Sequence, residues 1–463
     1  MSIAVEDLLA EGRSEAVNFS RLRRRTFPSI STDTRTLRPG ALFVALRGER
    51  HDGHEYVREA FARGAACAVI DGRADRSSYE AMPAVIVGDT VAALGDLAHR
   101  HRLRFHIPVI AVGGSNGKTT TKELIGSVLK RKYRVHATEG NYNNQIGVPL
   151  TLLGLKERHE IAVIEIGTNH FGEIEHLGGV TAPTHALLTN IGGEHLEFFG
   201  SVEGAAREEG RLFASLGRGG IAFVNMDDPR VVAEASGVRK KIRYGFSAGA
   251  SIRGKLLSSG PDGRAHCAVR AKGMREFSFI PTMPGENAAA NALAAAAVGL
   301  TFGVPAKEIS DAVGRFRPAD KRMVTIRAGG IIILNDTYNA NADSVIAALA
   351  ALNSMSCAGK KIVLLGDMLE LGPAAEAEHR RVGAAVARMG FEYLLTAGPL
   401  SRHVNDAADV RPVNFHYDQK NQLAEVALEL LAPGDIVLVK GSRGSRMEDV
   451  VTFIRERMTK KPS

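Results

Sequence analysis

Glycines, a lysine and hydroxyl side chains crowd into Gly113-Gly114-Ser115-Asn116-Gly117-Lys118-Thr119-Thr120, a run suited to holding phosphate. In such a run the glycines let the backbone curl so that N–H groups face phosphate oxygens, and the helix that follows adds a favourable dipole. The lysine reaches the β/γ-phosphates and the next hydroxyl binds Mg²⁺, roles that fall to Lys118 and Thr119. The spacing is one residue shorter than the usual G-x-x-x-x-G-K-T, because Val112 occupies the first glycine position. The run predicts binding of ATP or GTP. It leaves the reaction open.

Other polar residues stand where a nucleotide site could use them. Glu165 ends the apolar run Ile161-Ala162-Val163-Ile164 and precedes Ile166-Gly167-Thr168-Asn169-His170. An acid at the end of a buried strand beside a phosphate loop is where a Mg²⁺ ligand belongs, the alternative being an exposed strand-end glutamate. His195 follows another strand end, Asn190-Ile191, and is open between ligand and structural residue. Asn141, Asn143, Asn144 and Gln145 make one loop rich in side-chain amides. Amides both donate and accept, which suits sugar or peptide recognition, but they equally build Asx-turns. Asp336-Thr337-Tyr338-Asn339-Ala340-Asn341 has the same character.

These residues need elements to carry them. The phosphate loop sits between an apolar strand, Val109 to Val112, and an amphipathic helix with Leu124, Ile125, Val128 and Leu129 on one face. Before it, short strands (Ala41 to Leu46, Ala66 to Ile70, Ala84 to Val87) alternate with helical runs near 54–64 and 91–103. After it come strands at Ile161 to Ile166, Ala186 to Thr189 and Ile221 to Asn225, then an antiparallel patch over 240–283 and an alanine-rich helix from Asn287 to Val298. Beyond Pro318, strands at Ile331 to Leu334, Lys361 to Leu365, Tyr393 to Thr396 and Ile436 to Val439 alternate with helices, the pattern of a doubly wound sheet. The predicted fold is α/β in three domains. Residues 1–103 form a small N-terminal α/β domain, 104–317 a central P-loop ATPase-like, mostly parallel sheet, and 318–463 a C-terminal doubly wound, Rossmann-like domain.

The bulk properties agree. A chain of 463 residues exceeds one ordinary core. No stretch approaches the roughly 20 apolar residues needed to cross a bilayer. The acidic N-terminus (Glu6, Asp7, Glu15) has no signal-peptide core, and the three scattered cysteines suggest a reducing compartment, so a cytoplasmic protein is expected. The cysteines are expected to be small buried hydrophobes. The net charge of +8 is spread thinly and the chain lacks tryptophan, which fits attraction of polyphosphate substrates better than nucleic-acid binding.

Taken together these segments resemble the Mur ligases, the ATP-dependent amide-forming enzymes of bacterial peptidoglycan assembly, over nearly the whole chain. The phosphate loop with Lys118-Thr119-Thr120, the Asn143-Asn144 loop, Glu165 with Thr168-Asn169-His170, and His195-Leu196-Glu197 are similar in order and spacing. The segment Asp336 to Asn341 is most like the branch that joins D-alanyl-D-alanine to UDP-N-acetylmuramoyl-tripeptide; the sister branch that adds the third peptide residue usually carries a histidine-containing segment there. Gly366 to Gly372 and Lys440-Gly441-Ser442-Arg443 are likewise similar.

The resemblance implies ATP and two Mg²⁺ ions, an acyl-phosphate intermediate, and a monomer acting on small molecules. The implied catalytic residues are Lys118, Glu165, His195 and Glu209, with Thr119, Glu165, His195 and Glu209 as metal ligands. ATP would be held by the loop residues 113–120, Asn287, Asn291, Arg322 and Asp336, with Lys321 a further phosphate contact. Substrates would be held by Thr34, Arg35, Asp52, Gly53 and His54 at the UDP end, within segments Asp33 to Arg35 and Gly48 to His54, and by Asn143, Asn144, Thr168, Asn169, Tyr338, Asn339, Asn341, Lys440 and Ser442. Domain closure hinged near 103–107 and 315–320 is implied as well.

Three departures stand out. Glu286-Asn287 replaces the family's His-Asn, and Ala342 replaces a proline. Glu209-Gly210-Arg211-Leu212-Phe213 occupies the place of a Lys-Gly-Glu-Ile-Phe-like run whose lysine is carbamylated. A glutamate offers the charge and oxygens of a carbamate on a shorter arm, so Glu209 is the expected substitute, with Glu208 the alternative.

Overall fold

The computed structural model describes all residues except 1–2, 5, 10–13, 24–25, 49–50, 75–78, 80, 409–412 and 461–463. Glu49 and Arg50, beside the expected UDP-binding residues, lie outside the described residues.

The N-terminal unit is a five-stranded sheet of β1 (Glu15–Val17), β2 (Ile30–Ser31), β3 (Leu42–Val44), β4 (Cys67–Asp71) and β5 (Ala84–Val87), in the order β1-β5-β4-β3-β2. It is parallel except where β1 meets β5. Helix α1 (Val57–Ala62) packs on one face, and α2 (Thr90–Leu103), capped by Asp89, closes the unit. Leu94 and Leu97 of α2 face this first core, while Ala98 faces the second. At its end, Arg102 donates to the carbonyls of Thr181, Ala182 and Phe105, and the His101 imidazole contacts the Leu155 carbonyl. The expected boundary after residue 103 therefore carries a clamp rather than a free linker.

The central unit is a nine-stranded sheet. Its strands are β6 (Val109–Gly113), β7 (Val135–Ala137), β8 (Ile161–Glu165), β9 (His185–Leu188), β10 (Ile221–Asn225), β11 (Lys240–Gly245), β12 (Ile252–Ser259), β13 (Ala265–Ala271) and β14 (Phe277–Phe279), in the order β14-β13-β12-β11-β10-β9-β6-β8-β7. Strand side chains alternate between faces, so a strand covered on both sides reads as an unbroken apolar run. Ile110 and Val112 meet α3 (Lys118–Leu129) and the alanine-rich α7 (Glu286–Thr301). Val109 and Ala111 meet α4 (Gly147–Leu153), α5 (Glu173–Thr181) and α6 (Val202–Ala214).

The patch expected over 240–283 is antiparallel only from β12 onward. β11 and β12 continue the parallel sheet, so the segment extends the nucleotide-binding sheet instead of standing apart.

The C-terminal unit has six strands: β15 (Val324–Ala328), β16 (Ile331–Asp336), β17 (Lys361–Gly366), β18 (Tyr393–Ala397), β19 (Val413–Tyr417) and β20 (Ile436–Lys440), ordered β15-β16-β20-β17-β18-β19. Only β15 is antiparallel. Helices α8 (Ala342–Ser354) and α9 (Ala375–Met389) cover one face. The other face packs against a second cluster built around Leu423, Ile454 and Met458. Cys67 and Cys267 are buried as expected, whereas Cys357 is half-buried with its thiol near the Lys360 and Gly434 carbonyls.

Candidate active site

Strand β6 lies between β9 and β8, and the phosphate loop leaves its carboxyl end, the place where open α/β sheets bind ligands. Two glycines there are indispensable. Gly114 (φ +108°) lies so close to β9 that a Cβ would sit 2.4 Å from Thr189 Oγ1, and a Cβ on Gly117 (φ +79°) would sit 2.7 Å from Asn291 Oδ1.

The loop amides do not all face the cleft. Gly114 N–H donates to Glu209 Oε2 (2.7 Å), Ser115 N–H to the Asn190 carbonyl (2.8 Å) and Asn116 N–H to Asn190 Oδ1 (3.0 Å). Gly113 and Gly114 thus stand behind the cleft wall rather than in it, a correction to the expected phosphate contacts. Ser115, Asn116, Gly117, Lys118, Thr119 and Thr120 line the cleft, and the first turn of α3 presents its amides there.

Lys118 Nζ lies 3.0 Å from Glu194 Oε2 and 3.7 Å from Glu209 Oε1. Burial works against its charge, but the two carboxylates outweigh it and hold the lysine pKa above its ordinary value. For Glu209, burial dominates, and with the like charge of Glu194 it lifts the carboxyl to about 8 against the pull of Lys118. Glu194 is also buried, yet Lys118 and His195 keep it below the usual carboxylate range. Glu208 has a different task. Its oxygens accept from Gly172 N–H (3.0 Å) and Ile174 N–H (2.9 Å), capping α5. Of the two adjacent acids, only Glu209 reaches the phosphate loop.

Thr119 donates its hydroxyl to Glu165 Oε1 (2.9 Å), which also accepts from Asn143 Nδ2 (2.9 Å). The other oxygen, Glu165 Oε2, is buried without a hydrogen-bond partner. A carboxylate oxygen free of hydrogen bonds, with Lys122 Nζ 3.9 Å away, beside a hydroxyl at a phosphate loop is a donor set that a Mg²⁺ ion takes together with phosphate oxygens. Thr119 and Glu165 therefore fit the ion.

The four expected metal ligands do not form one cage. Glu209 faces the back of the loop, and His195 Nδ1 is 2.6 Å from Glu370 Oε2. Among the described residues no group of three or more His, Cys, Asp or Glu side chains is placed to hold a metal. Asn144 serves as an Asx-turn residue, accepting from Ile146 and Gly147 N–H, although it too borders the cleft. Thr168 and Asn169 line the cleft on a loop gathered by Glu173.

The opposite wall comes from the C-terminal unit. Asp336 accepts from Lys440 Nζ (2.6 Å) and Met323 N–H (3.0 Å), and Lys440 also donates to the Asn339 carbonyl (2.9 Å). The Arg322 guanidinium stacks 3.7 Å over the Tyr338 ring, whereas Lys321 turns away to Glu448 (3.2 Å) and does not line the cleft. Asn341 caps α8 in a capping box with Ser344, and its Nδ2 donates across the cleft to Asn116 Oδ1 (3.0 Å). The capping box holds the turn at the helix entry that carries Ala342. Asp343 Oδ2 accepts from Gly193 N–H (3.1 Å), and Glu197 N–H donates to the Glu370 carbonyl (3.1 Å). Asn190, Glu194, Asp343 and Glu370 were not foreseen; each lies beside a strand end or a singled-out motif, which was the only signal.

The expected UDP contacts in the N-terminal unit do not line this cleft. His54 Nε2 accepts from Asp71 N–H (3.0 Å), so Nδ1 carries the proton toward Asp52 Oδ1 (2.6 Å). A Cβ on Gly53 would lie 2.7 Å from the Leu46 backbone. Thr34 donates to Glu59 (3.1 Å), and exposed Arg35 pairs with Asp33 (2.7 Å). These residues build turns in the structure.

The cleft holds about 820 Å³, within the range of ligand sites. A smaller cavity of about 290 Å³ opens behind the loop between Asn287, Asn291, Asn225, Asp227 and Phe246, and exposed Glu286 stands at its edge. Asn287 and Asn291 thus border both spaces.

Three family models match in sequence: the Mur ligase family catalytic domain over residues 26–102, the Mur ligase middle domain over 112–299, and the Mur ligase glutamate ligase domain over 321–443. The chain belongs to the Mur ligase family. Among its relatives, the UDP-N-acetylmuramoyl-tripeptide–D-alanyl-D-alanine ligase of Bacillus subtilis (strain 168) is 36% identical over 431 residues, 92% of this chain and 93% of the relative. The enzyme of the same name from Escherichia coli (strain K12) is 35% identical over 445 residues, 94% and 95% of the two chains. A crystal structure of MurF from Acinetobacter baumannii superposes with a TM-score of 0.90 at 28% identity, covering 98% of this chain and 99% of that one. MurF ligase from Thermotoga maritima in complex with ADP superposes with a TM-score of 0.84 at 27% identity, covering 94% and 98%.

Proposed function

We propose that this chain is an ATP-dependent amide ligase joining D-alanyl-D-alanine to UDP-N-acetylmuramoyl-tripeptide in peptidoglycan precursor synthesis. One observation carries the reading: Lys118 and the Thr119–Glu165 pair face Tyr338, Asn339 and Asn341 across a single cleft. The relatives that share the whole length of the chain bear that activity in their names.

A carboxylate does not condense with an amine in water. The carboxylate at the end of the tripeptide first attacks the γ-phosphate of ATP, giving an acyl phosphate and ADP. The amine of the dipeptide then attacks the acyl carbon, and phosphate leaves. Phosphoryl transfer is chiefly positioning and charge neutralisation. Lys118 leaves Glu194 and Glu209 for the phosphates, and the α3 amides hold them in line. Bound Mg²⁺ would neutralise phosphate charge, held by Thr119 and Glu165, with His195 the expected ligand of a second ion. Glu209 stands for the carbamylated lysine of the family, placing a carboxyl group under the loop beside Lys118. The N-terminal unit takes the UDP end and the C-terminal unit the dipeptide. The enzyme works as a monomer in the cytoplasm, and no helix among the described residues is long and apolar enough to cross a membrane.

Release of ADP by the purified chain with Mg²⁺, ATP and both peptide partners tests the reading. ADP and amide should form together and stop when either partner is withheld. Turnover with a single amino acid in place of the dipeptide would instead point to a sister ligase, and ATP binding without ligation to a regulator.

A further inference from the structure

Four lysine and arginine side chains line the large cleft: Lys118, Arg322, Lys440 and Arg443. Three are engaged, Lys118 with Glu194, Lys440 with Asp336, and Arg322 on the Tyr338 ring. Arg443, exposed on the short turn after β20, has a guanidinium with no partner among the described residues. A cation left uncommitted in a ligand cleft is available to an anionic ligand.

An opposite charge stands on the neighbouring loop. Glu370 lines the same cleft with its side chain half exposed and its Oε2 2.6 Å from His195 Nδ1, and its backbone is held at φ +62°, a strained region for a residue other than glycine. Ser442 ties the two loops together. Its N–H donates to the Asp367 carbonyl (2.9 Å), and its hydroxyl accepts from Leu369 N–H (2.8 Å) and donates to the Ala340 carbonyl (3.2 Å). A Cβ on Gly444 would sit 2.6 Å from Leu369 Cδ1, so the loops are in close contact.

Arg443 follows Ser442 and Glu370 follows Leu369, which puts their Cα atoms within roughly 14 Å of each other. No ion pair joins them. An extended dipeptide spans about 7 Å from amine to carboxylate, a length that two long side chains on loops so spaced can bracket. Leu369, 40% exposed between them, offers apolar surface.

We propose that Arg443 and Glu370 are the recognition pair for the zwitterionic dipeptide: Arg443 takes its terminal carboxylate, Glu370 its ammonium, and Leu369 its methyl groups. The proposal rests on the ligase reading above and adds which residues select a free dipeptide over a single amino acid or a blocked peptide.

Titration calorimetry on the full chain, loaded with a non-hydrolysable ATP analogue and UDP-muramoyl-tripeptide, tests it with three probes: D-alanyl-D-alanine, its C-terminal carboxamide and its N-acetyl derivative. The wild type should bind the free dipeptide roughly ten- to a hundredfold more tightly than either blocked form, as expected for loss of a charge-assisted contact. Arg443→Ala should bind the dipeptide and carboxamide alike, with Arg443→Lys between, and Glu370→Gln should bind the dipeptide and N-acetyl form alike. Unchanged preference in the variants, or no preference in the wild type, overturns the pair. Amide formation is read separately, so normal turnover with unchanged preferences rejects the pair and leaves the ligase reading standing.

Discussion

Adjacent glutamates on α6 illustrate how much one residue's direction decides, because a helix turns roughly 100° per residue. Glu208 points to the start of α5 and satisfies two of its backbone N–H groups. Glu208→Ala should lower the unfolding free energy by about 1–3 kcal/mol, measured by urea denaturation, while KM for ATP stays unchanged. Glu209, fully buried, accepts from the phosphate loop and neighbours Lys118. If a glutamate does the work of a carbamate, turnover is the same in CO₂-depleted buffer as with added bicarbonate, and Glu209→Gln lowers kcat roughly ten- to a hundredfold. Activity that falls on CO₂ depletion and returns with bicarbonate would contradict this. Sequence named both acids but did not show which one faced the loop, since that depends on the rotation of α6 against β6.

At the scale of elements, strand ends were the legible part. Apolar runs such as Val109 to Val112 and Ile436 to Val439 marked buried strands, and the polar residues after them do border the cleft. Edge strands were missed. β19 exposes Val413 and Phe415, and β15 pairs on one side only, so neither shows an unbroken apolar signature. The amide-rich segments were ambiguous because both readings hold: Asn143 faces Glu165 while Asn144 builds a turn. Asn341 combines the two roles in one side chain, its oxygen capping α8 and its nitrogen bridging to Asn116. Substitution can separate them. Asn341→Asp keeps the capping oxygen, so stability should change by less than about 0.5 kcal/mol while kcat/KM for ATP falls roughly tenfold. Asn341→Ala should cost about 1 kcal/mol as well. Equal loss of activity and stability in both variants would argue that the bridge has no separate effect.

The molecule as a whole joins its central and C-terminal units through polar contacts, among them Asn341 to Asn116, Asp343 to Gly193, Glu370 to His195 and Glu197, and Ser356 to Pro261, and through Leu196, which packs into the C-terminal core. Interfaces of this kind open and close readily, and closure would shield an acyl phosphate from water. Small-angle scattering should show a smaller radius of gyration with ATP analogue and tripeptide bound, and a larger one for ligand-free Asp343→Ala; no change in either contradicts closure. Three units were readable from strand and helix alternation, but the clamp of Arg102 on the Thr181 and Ala182 carbonyls was not, because it joins residues about eighty positions apart. The central claim is that ATP activates a peptide carboxylate beside Lys118. Labelling that carboxylate of the tripeptide with ¹⁸O and examining the released phosphate by mass spectrometry tests it most directly. Transfer of one ¹⁸O atom into phosphate for each amide formed is the expected result, and amide formation with unlabelled phosphate would contradict it.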